Sequence, residues 1–185
     1  MLPTYEKELA DFQTRVANLK SGKVTNDDSA VKPLPKAKVQ VTGGGETFKI
    51  APGASVLAGQ DAKIVEAAPE LVGQTGIRVT AGATADIETA EPVQVLIGYF
   101  RSDDAKYAKP PQSETDAMAA ERGSTEPVIR NAAVISGLPP VDVFTQYYPA
   151  GKSKIEVRNP GTYVILGVVP QSFNIPKRDA GKWAK

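Results

Sequence analysis

The chain has 185 residues, and its 22 Lys and Arg against 21 Asp and Glu leave a formal net charge of +1 at pH 7. This balance supplies no bulk attraction to nucleic acid or to an anionic membrane surface. Histidine and cysteine are both absent, which excludes thiolate zinc sites, cysteine nucleophiles and every mechanism with His as general base. An enzyme would have to work with carboxylates, Lys or Tyr, so we predict a protein that is not an enzyme.

The first 22 residues predict an amphipathic helix. Thr4 is placed to cap its start and Gly22 to end it. Apolar side chains recur at alternating spacings of three and four, the pattern of a heptad seam: Leu2, Tyr5, Leu9, Phe12, Val16 and Leu19. The seam either joins chains as an oligomer or docking helix, or packs against the same chain or a preceding domain. Both interpretations stay open, because about three heptads are marginal alone.

Composition divides the rest of the chain into three parts. Residues 23–36 are polar, end in Pro-Leu-Pro and predict a linker. Residues 37–170 alternate apolar and polar positions between turn signals and predict the folded domain. Residues 171–185 form a basic tail that contains the only tryptophan, Trp183. No apolar run approaches the roughly 18–20 residues of a membrane-spanning helix.

Short strands are predicted throughout the domain from alternation and turn punctuation. Their ranges are 38–42, 46–50, 55–57, 76–80, 85–89, 92–100, 128–136, 141–148, 153–158 and 163–169. Gly43–Gly45, Pro149–Lys152 and Asn159–Gly161 are interpreted as hairpin turns. The fold class predicted is all-β: an antiparallel β-sandwich, jelly-roll-like, preceded by one N-terminal α-helix.

Two inserts interrupt the strands. Residues 65–73 are predicted to hold one helical turn. Residues 101–126 are longer and more polar, and structureless stretches of that length inside a compact domain are often functional. Carboxylates, an arginine and an aromatic ring are the groups that hydrogen-bond and stack on sugars. The candidate ligand-binding residues are Tyr99, Arg101, Asp103, Asp104, Tyr107 and Arg122. The alternative is a solvated loop without a ligand.

Oxygen-rich clusters raise the question of metal ions and of carboxylate catalysis. Asp103–Asp104 and Asn26–Ser29 could bind calcium, although turn formation explains such clusters more simply. No other cofactor is indicated, and no metal-binding residue is assigned. Two carboxylates could hydrolyse a glycoside, but no spacing here places a pair at the required separation.

Several segments carry a resemblance to a known kind of domain: Phe48–Gly53, Leu71–Arg78, Pro92–Phe100, Glu126–Ala132 and Gly161–Val168. Together they resemble the accessory β-sandwich domain at the C-terminal side of secreted bacterial polysaccharide-processing proteins. The resemblance implies a non-catalytic module that acts outside the cytoplasm, in the periplasm or extracellular space, with polysaccharide or another protein domain as partner. The alternative is a structural or assembly protein that oligomerises through its N-terminal heptad helix.

Overall fold

The computed structural model describes residues 31–110, 126–157 and 161–180. Residues 32–180 form one compact unit. The predicted N-terminal helix and its seam from Leu2 to Leu19 lie outside the described residues, as do Arg122 and Trp183. The compact unit begins inside the segment that we predict as a linker, since Leu34 is buried and its backbone N–H donates to Glu70 O at 3.0 Å.

Regular secondary structure in the described residues consists of strands alone, so the all-β prediction is confirmed for this part of the chain. The strands are β1 (Gln40–Gly43), β2 (Gly45–Lys49), β3 (Leu57–Ala58), β4 (Ile64–Ala67), β5 (Thr75–Thr80), β6 (Ala85–Thr89), β7 (Val93–Phe100), β8 (Ile129–Ile135), β9 (Val141–Tyr148), β10 (Gly151–Ile155), β11 (Val164–Pro170) and β12 (Arg178–Asp179). Among the same residues, no helix has the length and apolar character needed to cross a bilayer.

The strands form two sheets of unequal size. A three-stranded sheet has the order β1-β6-β10. A nine-stranded sheet has the order β12-β8-β9-β7-β11-β5-β2, with β3 beside β5 and β4 beside β8. Most neighbours are antiparallel, but β3 with β5 and β12 with β8 are parallel. A purely antiparallel arrangement was therefore wrong for these two short pairs.

Strand β7 lies at the centre of the large sheet, between β9 and β11. All eight of its residues are buried, as expected for a strand that is apolar on both faces. Gly98 is needed there because a Cβ at this position would lie 2.6 Å from Val164 Cγ2 and 2.7 Å from Val141 Cγ1. The neighbouring strands therefore pack closely against the backbone at Gly98, where no side chain would fit.

Residues of both sheets share one hydrophobic core. Val95, Ile97 and Tyr99 of β7 lie in the same buried cluster as Ile87 of β6 and Ile155 of β10. Removal of these side chains from water is the main driving force that holds the small sheet to the large one. The finer architecture, a sandwich with jelly-roll connections, stays a prediction.

Two of the three predicted hairpins are wrong, and most of the third, Asn159–Gly161, lies outside the described residues. Gly43 ends β1, which pairs with β6, and Gly45 begins β2, which pairs with β5 in the other sheet. The connection at Pro149–Ala150 likewise passes from β9 in the large sheet to β10 in the small one, and the chain returns to the large sheet at β11. Turn residues report that the chain bends, but the choice of the neighbouring strand depends on long-range packing.

The predicted helical turn in residues 65–73 is also corrected. Ile64–Ala67 forms β4, which pairs antiparallel with β8. Hydrogen-bonded turns follow, with Leu71 N donating to Ala68 O at 2.9 Å. The β-branched residues Ile64 and Val65 favour an extended chain, and the open edge of β8 supplies its partner.

Candidate functional site

A polar cluster lies where β7 ends and β9 begins, and it contains one of the predicted ligand-binding residues. Arg101 follows the last residue of β7, and its Nη2 donates to Asp142 Oδ1 at 2.7 Å while its Nε donates to Oδ2 at 3.2 Å. Nη2 also donates to Asn131 Oδ1 at 2.6 Å. The bond to Asp142 raises the pKa of Arg101 from its ordinary value. The guanidinium is thus a fixed cation, suited to hydrogen-bond an anion or a hydroxyl rather than to transfer protons.

Asn131 connects this cluster to the end of the described chain. Its backbone has a φ of 51°, and the pairing of β8 with β9 is irregular between Ile129 and Ala133. Asn131 N donates to Asp142 Oδ1, and Asn131 Nδ2 donates to Asp179 Oδ1, both at 2.9 Å. Asparagine tolerates the left-handed region better than most residues, and here both its amide oxygen and its amide nitrogen are hydrogen-bonded. The bulge in β8 therefore holds Arg101, Asp142 and β12 together.

Two predicted ligand-binding residues, Tyr99 and Tyr107, lie in the interior. Tyr99 is 3% exposed and packs edge-to-face on Phe144, with ring centroids 5.3 Å apart. Burial raises the pKa of Tyr99 above its ordinary value. Tyr107 is 6% exposed, and its ring lies 5.0 Å from that of Phe100. To stack on a sugar, either ring would have to leave the core, so neither of these two tyrosines offers an accessible face beside Arg101.

Asp103 and Asp104 lie on the exposed loop after β7. Asp104 Oδ1 accepts a hydrogen bond from Lys106 N at 3.0 Å, and Asp104 N donates to Ser102 Oγ at 3.1 Å. These contacts describe a local Asx-type turn. The loop then runs beside β11, because Ala108 N donates to Thr162 O at 3.0 Å and Thr162 N donates to Lys106 O at 2.8 Å. The first third of the insert is thus ordered against the domain.

A calcium site at Asp103–Asp104 would need further oxygen ligands. Within residues 31–110, 126–157 and 161–180, no group of three or more Asp or Glu side chains is placed to hold a metal ion. The second cluster, Asn26–Ser29, lies outside the described residues. Calcium binding by this chain stays an untested prediction.

Sequence reasoning did not assign a role to two aromatic residues that the structure exposes. Tyr147 on β9 is 37% exposed and Phe173, in the turn after β11, is 38% exposed. The pair Tyr147–Tyr148 indicates that one ring points outward, because neighbouring side chains alternate on a strand. No pattern in the sequence identifies Phe173, which lies in a segment that we predict as tail.

Comparisons with known proteins identify a relative among the solved structures. No protein-family model and no curated protein matches the chain. The chain is similar to a solved structure described as a GH138 enzyme targeting pectin rhamnogalacturonan II, with 30% sequence identity and a TM-score of 0.73. The match covers 96% of this chain and 21% of that chain. Nearly the whole chain therefore resembles a limited part of a longer enzyme, and the described residues are β-rich.

Proposed function

We propose that this chain is a non-catalytic accessory module that binds polysaccharide or carries a partner domain to it, outside the cytoplasm. The observation that carries the proposal is the 30% identity over 96% of the chain to part of an enzyme that targets a pectic polysaccharide. Because the chain corresponds to only 21% of that enzyme, its role is that of one component. Our proposal does not extend the catalytic activity of that enzyme to this chain.

The chemistry of the chain supports a role without catalysis. It has no His and no Cys. Two of its buried or half-buried carboxylates already serve the fold, since Glu70 accepts from Arg178 and Asp142 accepts from Arg101 and Asn131 N. A glycoside-cleaving pair needs one carboxyl with a raised pKa across the bond from a second one, and these carboxylates are bound to guanidinium groups instead.

The same proposal takes the two sheets as the layers of a β-sandwich. Its support is the core cluster, to which the small sheet contributes Ile87 and Ile155 and the large sheet contributes Ile77, Ile97 and Ile165. In such a fold the loops and outer faces are free to contact ligand, while the inner faces supply stability. Arg101, Asp103 and Asp104 are the polar candidates for ligand contact on this view.

Affinity electrophoresis of the full chain tests the proposal. Native gels would contain rhamnogalacturonan II, another pectic fraction, or dextran as a neutral control, and reducing sugar released in solution would be measured in parallel. We expect slower migration in at least one pectic gel and no release of reducing ends. Unchanged migration in every gel would contradict binding, and steady release of reducing ends would contradict the non-catalytic role.

The second candidate function, oligomerisation through the N-terminal helix, is supported by the heptad spacing of its six apolar residues. Sedimentation of the full chain and of a Leu9→Glu, Phe12→Glu variant tests it. A wild-type oligomer that becomes a monomer in the variant is the expected result, because two charges in the seam oppose its burial. A wild-type monomer at all concentrations would remove this candidate.

A further inference from the structure

Two half-exposed aromatic rings lie at one end of the large sheet. Val65, Val72, Tyr147 and Phe173 are the large hydrophobic side chains that remain exposed among the described residues, and the last two are the aromatic ones. Scattered exposed aliphatic residues need no explanation, but exposed aromatic rings at one place often mark a binding surface.

Gln94 connects the two residues that carry these rings. It lies directly opposite Tyr147 in the pairing of β7 with β9, so both side chains project from the same face of the sheet. Gln94 Nε2 donates to Phe173 O at 2.6 Å and to Pro170 O at 3.1 Å. The turn that carries Phe173 is therefore fixed over Gln94, beside Tyr147. We call Tyr147, Gln94 and Phe173 the aromatic platform.

The platform is built from ordered backbone. Phe173 N donates to Pro170 O at 3.0 Å and Gln171 N donates to Pro92 O at 3.1 Å, which close the turn against the start of β7. Tyr147 is held by its strand, between residues of known register. When a ligand stacks on these rings, the protein backbone therefore loses little conformational entropy, and this small entropic cost favours binding.

The size and chemistry of the platform select its occupant. A stable protein interface buries about 800 Å² on each partner around an apolar centre, whereas here two partly exposed rings lie near the exposed polar residues Gln171 and Ser172, and Gln94 itself is buried. The C–H face of a pyranose ring packs on an aromatic face, and its hydroxyls need polar neighbours at the rim. The pattern therefore fits a sugar ring better than a protein surface.

We propose that Tyr147 and Phe173 of the aromatic platform, which buried Gln94 positions, form the surface on which this module stacks sugar rings of a polysaccharide. This inference rests on the proposed function and moves the aromatic contacts away from the buried Tyr99 and Tyr107. The platform lies at the opposite end of β7 and β9 from Arg101. Seven residues of strand separate Gln94 from Arg101, a distance of roughly 23 Å, so a single sugar ring does not reach both places.

Ring-keeping and ring-removing variants of the full chain test the platform by affinity electrophoresis in the polysaccharide that retards the wild type. Tyr147→Phe and Phe173→Tyr keep a ring and should bind within about twofold of the wild type. Tyr147→Thr and Phe173→Ser remove it, and each should weaken binding about fivefold or more, the lower end of what one stacked aromatic ring contributes. Val65→Ala, a truncation of an exposed residue elsewhere on the same sheet, is the matched control.

Each outcome decides a separate point. If wild type, Tyr147→Thr and Phe173→Ser all bind equally while their thermal unfolding is unchanged, the platform is overturned and the binding function stands. If the ring-removing variants unfold at lower temperature, amide chemical shifts of the wild type on titration with a soluble oligosaccharide give the answer instead. Shifts confined to residues distant from β9 and the 170–174 turn would overturn the platform. No binding by the wild type would overturn both proposals.

Discussion

Arg178 and Glu70 form a two-point ion pair between the last described strand and the turn after β4. Arg178 Nε donates to Glu70 Oε2 at 2.5 Å and Nη2 donates to Oε1 at 2.8 Å. Glu70 is only 4% exposed, and its backbone oxygen accepts from Leu34 N at 3.0 Å. One residue thus binds the first and the last described segments of the compact unit.

Removal of the carboxylate should destabilise the domain strongly. Glu70→Ala leaves the Arg178 guanidinium without this partner in a largely buried position, and we expect the free energy of unfolding to fall by about 3–5 kcal/mol. Urea unfolding followed by circular dichroism measures it. The exposed pair of Lys63 and Asp61, 3.5 Å apart, provides the control: Asp61→Ala should cost under about 1 kcal/mol. Equal costs for the two variants would contradict a structural role for the buried pair.

Because of the backbone conformation at position 131, replacing Asn131 by glycine should destabilise the domain less than replacing it by a β-branched residue. At a φ of 51°, Asn131→Gly relieves backbone strain but loses the bonds to Arg101 and Asp179, whereas Asn131→Val loses the same bonds and adds strain. We expect the valine variant to be less stable than the glycine variant by at least about 1 kcal/mol. Comparing the urea concentrations at the unfolding midpoints of the two variants tests this prediction. A valine variant as stable as the glycine variant would show that the backbone of β8 relaxes at the bulge.

A methyl group at Gly98 should be poorly tolerated. Gly98→Ala places a Cβ within 2.7 Å of side chains on both neighbouring strands, and overpacking of this kind costs about 1–3 kcal/mol. The second substitution Val164→Ala removes the nearer clash, so the double variant should lose less stability than the sum of the two single losses. Thermal unfolding of wild type, the two single variants and the double variant gives a double-mutant cycle. Strictly additive losses of stability would contradict a direct contact between these two positions.

Alkaline pH should unfold the domain through its buried tyrosines. Burial raises the pKa of Tyr163 to about 12, while in the unfolded chain the phenol ionises near the ordinary value of about 10. The folded state therefore keeps a proton that the unfolded state has released. This contribution to stability is complete below pH 10 and is lost as the pH rises towards 12.

Thermal unfolding of wild type and Tyr163→Phe between pH 6 and pH 12 tests this dependence. Below pH 9 the variant should be less stable by a constant amount, because Tyr163 Oη donates to Ala83 O at 2.6 Å and phenylalanine cannot. Above pH 10 the difference in stability between wild type and variant should narrow. The wild type loses stability as Tyr163 ionises in its unfolded state, whereas the variant has no phenol at this position. A gap that stays constant to pH 12 would contradict the raised pKa.

Local patterns in the sequence located most strands of the compact unit. The range 141–148 coincides with β9, and 92–100 differs from β7 by one residue at its start. These strands are visible because apolar and β-branched residues crowd between turn residues. Strand β12 has two residues, which is too short for any alternation to be recognised, and it exists because Asn131, Arg130 and Glu70 hold it.

In the candidate site, too, the sequence predicted individual residues but not their contacts with residues far away in the chain. Arg101 was identified from its position beside a polar insert, but the sequence did not indicate that Asp142 and Asn131 would bind it. Strand β7 is apolar on both faces, so its sequence has no alternation from which to predict how Tyr99 is oriented. The register with β9 and the small sheet place that ring in the core.

The sequence by itself determined that this chain lacks His and Cys chemistry and that its residues form short strands, because composition and alternation are local properties. Only the tertiary structure decided which strands are neighbours, which tyrosines are buried and which residue holds the turn of Phe173. These features depend on contacts between residues far apart in the chain, such as Gln94 with Phe173, and their free energy comes from packing that no short window of sequence contains.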